Sequence, residues 1–207
     1  GKTLTELGIT EELIPNHVAV KEAVLPFAKF PGTDTLLGPE MRSTGEVMGI
    51  SPTFGESYAK SQIAAFGPLP ISGTVFISLA DKDKATGIEP AKGFSDLGFR
   101  ILATDGTALF LQKHGIECTP VRKNSEGTGA MGEKTIVDII NAGEIDLVIN
   151  TPVGRGTRAD GWAIRTAAVQ RSIPCITTTA GFSAAVDAIT FQQSSPLSIK
   201  SLQEWLA

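Results

Sequence analysis

The chain has 207 residues, 42% hydrophobic and 19% charged, with a net charge of −4. That composition supports a packed core, excludes a disordered chain, and, with no Lys/Arg run, argues against a nucleic-acid or anionic-membrane surface. No apolar run reaches the roughly 18 residues that a membrane span needs, so the chain fits one large domain, or one domain with an attached piece.

The start, Gly1-Lys2-Thr3-Leu4-Thr5-Glu6, has no signal-peptide pattern and no Met. It reads as part of a longer, cytoplasmic protein. Thr10-Glu11-Glu12-Leu13 predicts a helical turn, and His17 to Phe27 alternates as a strand. Phe30 to Asp34 is turn chemistry, and Met41 to Gly49 is a second strand between Gly stops. Strands without crossover helices cannot bury themselves. Residues 1–54 are therefore the edge of a neighbouring domain, or else a hairpin decorating the main one. Residues 55–66 read as a helix with Phe54, Tyr58, Ile63 and Phe66 on its apolar side. Phe66-Gly67-Pro68-Leu69-Pro70 ends it and acts as a stiff linker, which puts a domain boundary near 67–72.

A regular alternation follows. Strands are expected at Thr74–Leu79, Phe99–Ala103, Ile116–Val121, Ile145–Asn150 and Ile173–Thr177. Helices are expected at about 83–97, 107–114, 134–142, 159–171, 180–190 and 198–206, several closed by Gly. Five short apolar runs separated by helices predict an α/β fold, a five-stranded parallel sheet flanked by helices. Cys118 and Cys175 fall in buried strands and read as reduced core thiols, and His17 and His114 are isolated. No Cys/His spacing suggests a metal site.

Ligands of an open parallel sheet bind beyond the carboxyl ends of its strands. The first such end carries Ser78 and Lys84, and the second carries Thr104-Asp105-Gly106-Thr107, where a strand feeds a helix through a tight turn. Unpartnered N–H groups, the helix dipole, two hydroxyls and a bare Gly suit a phosphate there. Lys123 ends the third strand, Asn150-Thr151 the fourth, and Thr177-Thr178 the fifth. These residues also serve as ordinary turns and caps, so the two readings stand side by side. Asp105 and Asp160 are the candidate acid/base groups, and each is also placed to cap or begin a helix. No paired carboxylates and no GxGxxG after a strand occur.

Phe30-Pro31-Gly32-Thr33-Asp34-Thr35-Leu36-Leu37-Gly38-Pro39-Glu40-Met41-Arg42-Ser43-Thr44-Gly45-Glu46-Val47-Met48-Gly49 resembles the end of the second ATP-grasp unit of the carbamoyl phosphate synthetase large subunit. Ala103-Thr104-x-Gly106-Thr107-Ala108, Lys123, Asn150-Thr151 and Gly181-Phe182 resemble the methylglyoxal synthase-like allosteric domain of that family. The resemblance implies residues 1–66 as the ATP-grasp edge with its connecting helix, and 67–207 as the allosteric domain. It implies an ATP-dependent, glutamine-hydrolysing ligase in the full chain, using ATP, Mg (or Mn) and K, serving pyrimidine and arginine biosynthesis. The chain itself would be regulatory, with no catalytic residue, metal or cofactor of its own.

The resemblance further implies UMP or IMP as effector at Ser78, Lys84, Thr104, Gly106, Thr107, Lys123, Asn150 and Thr151. It implies ornithine at Glu22, Leu37, Thr177 and Thr178, a glutaminase small subunit as partner, and self-association through this domain. The sequence departs from the family where Pro152 replaces a Thr, where the Gly-rich loop after Lys123 is longer, and where Cys175-Ile176 replaces an aromatic–acid pair. The alternative is a free-standing methylglyoxal synthase-like enzyme eliminating phosphate, with Asp105 or Asp160 as base.

Overall fold

The computed structural model describes residues 1–12, 14–24, 45–130, 132–152 and 159–206. The expected turn at Phe30–Asp34, the first residues of the second strand, and Leu37 lie outside them, as do Leu13 and residues 153–158. Two antiparallel strands come first, β1 (Val18–Val24) and β2 (Gly45–Ser51). They are followed by α1 (Phe54–Ala65), whose Thr53 cap accepts from the Glu56 N–H.

Then come β3 (Thr74–Ser78), α2 (Ile88–Asp96), β4 (Arg100–Thr104), α3 (Asp105–Lys113), β5 (Thr119–Val121) and α4 (Ile136–Asn141). The chain goes on through β6 (Leu147–Asn150), α5 (Ala159–Gln170), β7 (Cys175–Ile176), α6 (Thr179–Ser194) and α7 (Leu202–Leu206). Strands β3 to β7 form one five-stranded sheet, ordered β5-β4-β3-β6-β7, and every pairing in it is parallel.

The period-two rule of a pleated strand divides the core. Val75, Ile77, Ile101, Ala103, Leu147 and Ile149 face one side, packed on Phe94 of α2, Leu111 of α3 and Phe182 of α6. Phe76, Leu102, Val121 and Val148 face the other, packed on Ile136 and Ile140 of α4 and Ile164 of α5. Each Val, Leu, Ile or Phe among them contributes about 1.5–3 kcal/mol on burial. The chain winds outward from β3 to β5 with α2 and α3 on one face, then restarts beside β3 with α4 and α5 on the other. The strand order therefore reverses between β3 and β6, which is where such sheets open a crevice.

Two expectations need correction. The 83–97 helix begins only at Ile88, after a 3₁₀ turn at Asp81–Asp83 and Gly87. Pro90 then falls in the first turn, where its missing N–H leaves nothing unpaired. The apolar side assigned to α1 holds only for Tyr58, which packs on the core. Phe54, Ile63 and Phe66 are 43%, 39% and 51% exposed, while Glu56, Ser57, Ala59, Ser61 and Gln62 are buried.

The reason is close backbone approach. Helix α1 is wedged between the hairpin and α6, and a Cβ on Gly55 would lie 2.6 Å from the Asp187 carbonyl. Large side chains do not fit such a contact; small and polar ones do, provided they find partners. Ser57 Oγ donates to the Val18 carbonyl at 2.8 Å, Ser61 Oγ to that of Tyr58 at 2.9 Å, and Gln62 Nε2 to Glu22 at 3.0 Å. Glu56 accepts from the N–H and the hydroxyl of Ser198, both at 2.6 Å, and pairs with Lys60 at 3.1 Å. That cluster ties the C-terminal tail to α1.

Smaller differences lie at the ends. Thr10–Glu12 form no helical turn, and a 3₁₀ turn stands at Thr5–Leu7 instead. The last helix is shorter than expected because Ser201 and Glu204 cap it. His17 lies 5.8 Å from the Trp205 ring. The His114 ring lies tilted against that of Phe110, with centroids 4.5 Å apart.

Candidate functional site

Strand register assembles the site. Ile77 pairs with Ala103 and Ser78 pairs with Asn150. Thr104, Ser78 and Asn150 thus end three adjacent strands side by side. Alternation turns all three toward the α4/α5 face, since Leu102, Phe76 and Val148 point that way. Neighbouring strands are about 4.8 Å apart. The row therefore runs along the rim for about 10 Å, across the point where the strand order reverses.

At one end of the row β4 passes straight into α3. Thr104 takes the cap position with extended backbone (φ −62°, ψ 149°), but its side chain does not cap the helix. Its Oγ1 lies 3.2 Å from Thr107 Oγ1 and 3.4 Å from Ser78 Oγ. Thr107, 1% exposed, also accepts the Leu79 N–H at 3.1 Å. Both lone pairs of its oxygen can be filled this way, which leaves its own proton to be donated. Beside it stand the first N–H groups of α3, at the positive end of the helix dipole.

Lys84 reaches the same spot from the loop after β3. Its Nζ lies 3.6 Å from where a Cβ on Gly106 would stand, so the bare glycine leaves the ammonium room. Lys84 is held there by Asp81 at 2.7 Å, whose side chain is 94% exposed. The hydrogen bond and charge of Lys84, then the charge of Lys123, hold the Asp81 carboxyl below its usual range. Gly106, Thr107, Thr104, Ser78 and Lys84 are thus brought together. Lys123 is exposed at the end of β5, and its N–H is held by Glu126 at 3.0 Å.

At the other end, Thr151 acts as a fastener. Its Oγ1 accepts the Ala80 N–H at 2.8 Å and its N–H reaches the Ser78 carbonyl at 3.0 Å. Asn150 is buried and accepts from Arg165 Nη1 at 2.7 Å, with Arg165 only 2% exposed. Sequence reasoning missed Arg165, because a charged residue on a helix is ordinarily a solvated one. A signal was present: Gly161, one turn earlier, is where a Cβ would come 2.9 Å from Arg165 Nη1.

Of the two candidate bases, Asp105 is exposed on the first turn of α3. Asp160 is engaged in holding the loop after Lys123, accepting the N–H and the hydroxyl of Ser125, both at 2.7 Å. Arg122 fixes the same loop through the carbonyls of Glu126 and Gly127, each at 3.1 Å.

A second cluster lies away from the rim row. Burial raises the pKa of Glu22, against the Gln62 hydrogen bond that lowers it. Burial and then the Glu22 charge push the Tyr58 hydroxyl up to about 12. Tyr58 faces the start of α6: a Cβ on Gly181 would lie 3.9 Å from its hydroxyl and 3.0 Å from Thr178 Oγ1. Thr178 caps α6 by accepting the Gly181 N–H, and Thr177 is half-buried next to it. The strand pair and the sheet end are thus bridged by Tyr58. Of the four residues expected at an ornithine site, Glu22, Thr177 and Thr178 are on these elements, and Leu37 lies outside the described residues.

Cys118 and Cys175 form no disulfide, and burial raises the pKa of the Cys118 thiol. Among the described residues no group of three or more His, Cys, Asp or Glu could hold a metal ion, and no helix is long and apolar enough to cross a membrane.

Residues 86–177 match the MGS-like domain. Over 192 residues the chain is 54% identical to the carbamoyl phosphate synthase large chain of Streptomyces griseus, covering 90% of this chain and 17% of that one. It is 51% identical over 207 residues to the large chain of a Synechocystis strain, covering 100% of this chain and 19% of that one. It is 54% identical over 212 residues to that of Paenarthrobacter aurescens, with coverage of 100% and 19%. Among solved structures it is similar to the crystal structure of ForH, with a TM-score of 0.44 and 18% identity over 65% of this chain and 87% of that one. The chain spans about a fifth of the length of the curated relatives it matches. It belongs to the carbamoyl phosphate synthase large-chain family, as a stretch that carries the MGS-like domain.

Proposed function

We propose that this chain is the C-terminal, regulatory part of a glutamine-hydrolysing carbamoyl phosphate synthase large chain, and that its rim binds the phosphate of UMP or IMP. The observation that supports this most is the start of α3. There the Thr104 and Thr107 hydroxyls lie 3.2 Å apart, with Gly106 between them in sequence approached by the Lys84 ammonium. Hydroxyl and amide donors, a dipole and one cation suit a phosphate. Ser78, Asn150, Thr151 and Lys123 extend the site along the nucleotide.

The full-length protein, in this reading, is a cytoplasmic ATP-dependent ligase that uses Mg (or Mn) and K and works with a glutaminase small subunit. Residues 1–66 are the edge of its ATP-grasp module and 67–207 its effector domain, which also self-associates. Ornithine binds where Glu22 and Tyr58 approach Thr177 and Thr178; Leu37, the fourth residue the resemblance implies, lies outside the described residues. An ammonium ligand there would find the Glu22 carboxylate waiting in a partly desolvated place.

Calorimetric titration of the intact protein with UMP and IMP tests the reading. A charge-assisted hydrogen bond is worth about 1.5–3 kcal/mol, so Lys84→Ala should weaken binding by about tenfold or more. No binding of either nucleotide at millimolar concentration would refute it. Turnover of a triose phosphate, abolished by changing Asp105 or Asp160, would instead favour the phosphate-eliminating enzyme.

A further inference from the structure

We propose that Arg165 decides which ligands the rim accepts, by making Asn150 a dedicated hydrogen-bond donor. The inference deepens the effector-site reading and rests on it.

An asparagine amide has an acceptor prong and a donor prong, and in open solvent it can present either. Arginine can only donate. The Arg165 guanidinium meets Asn150 at 2.7 Å, so the prong facing it is the carbonyl oxygen. Turning the amide over would set N–H against N–H between residues that are 2% and 5% exposed, where water cannot relieve the conflict. The guanidinium is itself seated beside Gly161, where any side chain would press on Nη1 at 2.9 Å. Asn150 is therefore fixed with its NH₂ turned away from Arg165. That nitrogen has no hydrogen bond among the described residues.

Position gives this donor its meaning. Asn150 ends β6, paired with Ser78 and two strands from Thr104. Two strand spacings are about 10 Å, more than a phosphate group spans. A ligand whose phosphate sits at the start of α3 brings its nucleoside part to Asn150. A fixed donor there matches a base edge carrying an oxo group and conflicts with one carrying an amino group. The site thus takes oxo-substituted nucleoside monophosphates and rejects their amino counterparts.

The test is competition binding on the intact protein with UMP, CMP and ribose 5-phosphate, the last probing phosphate recognition alone. An unpaired buried donor costs enough that wild type should favour UMP over CMP by about tenfold or more. In Asn150→Asp one carboxylate oxygen still accepts from Arg165 while the other offers an acceptor to the ligand. That variant should shift the UMP/CMP ratio toward CMP, and ribose 5-phosphate reads separately what the added negative charge costs phosphate binding in general. Arg165→Met frees the amide to turn and should bring the two nucleotides to equal affinity. If Arg165→Met fails to fold, Asn150→Asp carries the test alone, because it keeps the arginine paired. Binding with no UMP/CMP preference in wild type, or an Asn150→Asp variant that keeps the wild-type ratio, overturns the inference and leaves phosphate recognition standing. Failure of wild type to bind all three ligands overturns the effector reading together with it.

Discussion

Thr107→Val separates the two tasks of one hydroxyl. The substitution keeps shape and removes the acceptor of the Leu79 N–H, at 3.1 Å, and the partner of Thr104, at 3.2 Å. Thr107 is 1% exposed, so no water replaces it. A buried donor left unpaired costs about 1–3 kcal/mol. For a domain of this size that lowers Tm by about 2–12 °C, at 2–4 °C per kcal/mol. In the proposed effector site the same substitution also deletes a donor to the ligand phosphate, and a hydrogen bond to a charged group is worth about 1.5–3 kcal/mol. Nucleotide affinity should fall by about 10- to 150-fold. Thr107→Ser retains the oxygen and should stay close to wild type in both respects. Calorimetric titration with UMP or IMP and a thermal melt read the two effects separately. A valine variant with weakened folding but wild-type affinity would show that the hydroxyl only ties β3 to α3, and would refute the phosphate argument.

Glu56→Ala leaves the Ser198 N–H without its acceptor and takes one partner from Lys60, which keeps the Ile50 carbonyl and the Ser198 hydroxyl, so chemical denaturation should show a loss of about 1–3 kcal/mol. Burial opposes ionisation of Glu56, but the Ser198 bonds and then Lys60 outweigh it and leave its pKa lowered. Its contribution should therefore be intact at neutral pH and be lost as pH falls below the ordinary value of 4.5. Glu22 behaves in the opposite sense. Its pKa is raised by burial, so its contribution is present at low pH and lost as pH rises above 4.5 through the raised value. Glu22→Gln should therefore unfold at higher denaturant than wild type at pH 7, with the gain vanishing in acid. Asp160→Ala removes both bonds to Ser125, and amide exchange should speed up at Ser125 while the strand amides of β3 and β6 keep their protection.

The sheet was readable because its evidence is local. Val75-Phe76-Ile77 and Leu147-Val148-Ile149 are continuous apolar runs of strand length, as strands buried on both faces must be. Their last residues, Ser78 and Asn150, stood out as the points where polarity begins. Sequence alone did not show that these two would be register partners, which requires the pairing itself. Nor did it show Arg165, whose burial depends on a glycine one turn away and on a strand end 15 residues back. The Glu56–Ser198 bonds span 142 residues and no periodicity could reveal them.

The error over α1 is the most informative, because it follows from applying a sound rule to an unusual helix. An amphipathic helix ordinarily turns Phe and Ile inward. Here the inward positions are set by backbone contacts at Gly55 and Gly49, so serine, alanine and glutamine occupy them, Phe54, Ile63 and Phe66 are left outside, and only Tyr58 of the expected apolar side packs on the core. Such an interface has little apolar area but many directed bonds, to the hairpin through Ser57 and Gln62 and to the tail through Glu56. Area-driven contacts can slide, whereas directed bonds fix relative position. Helix α1 therefore holds the hairpin at a defined place against α6, the element that starts beside Thr177 and Thr178 at the end of the sheet. A displacement of that sheet end would have to move α6, and with it Tyr58 and the Glu22 carboxylate, before anything beyond the hairpin could register it.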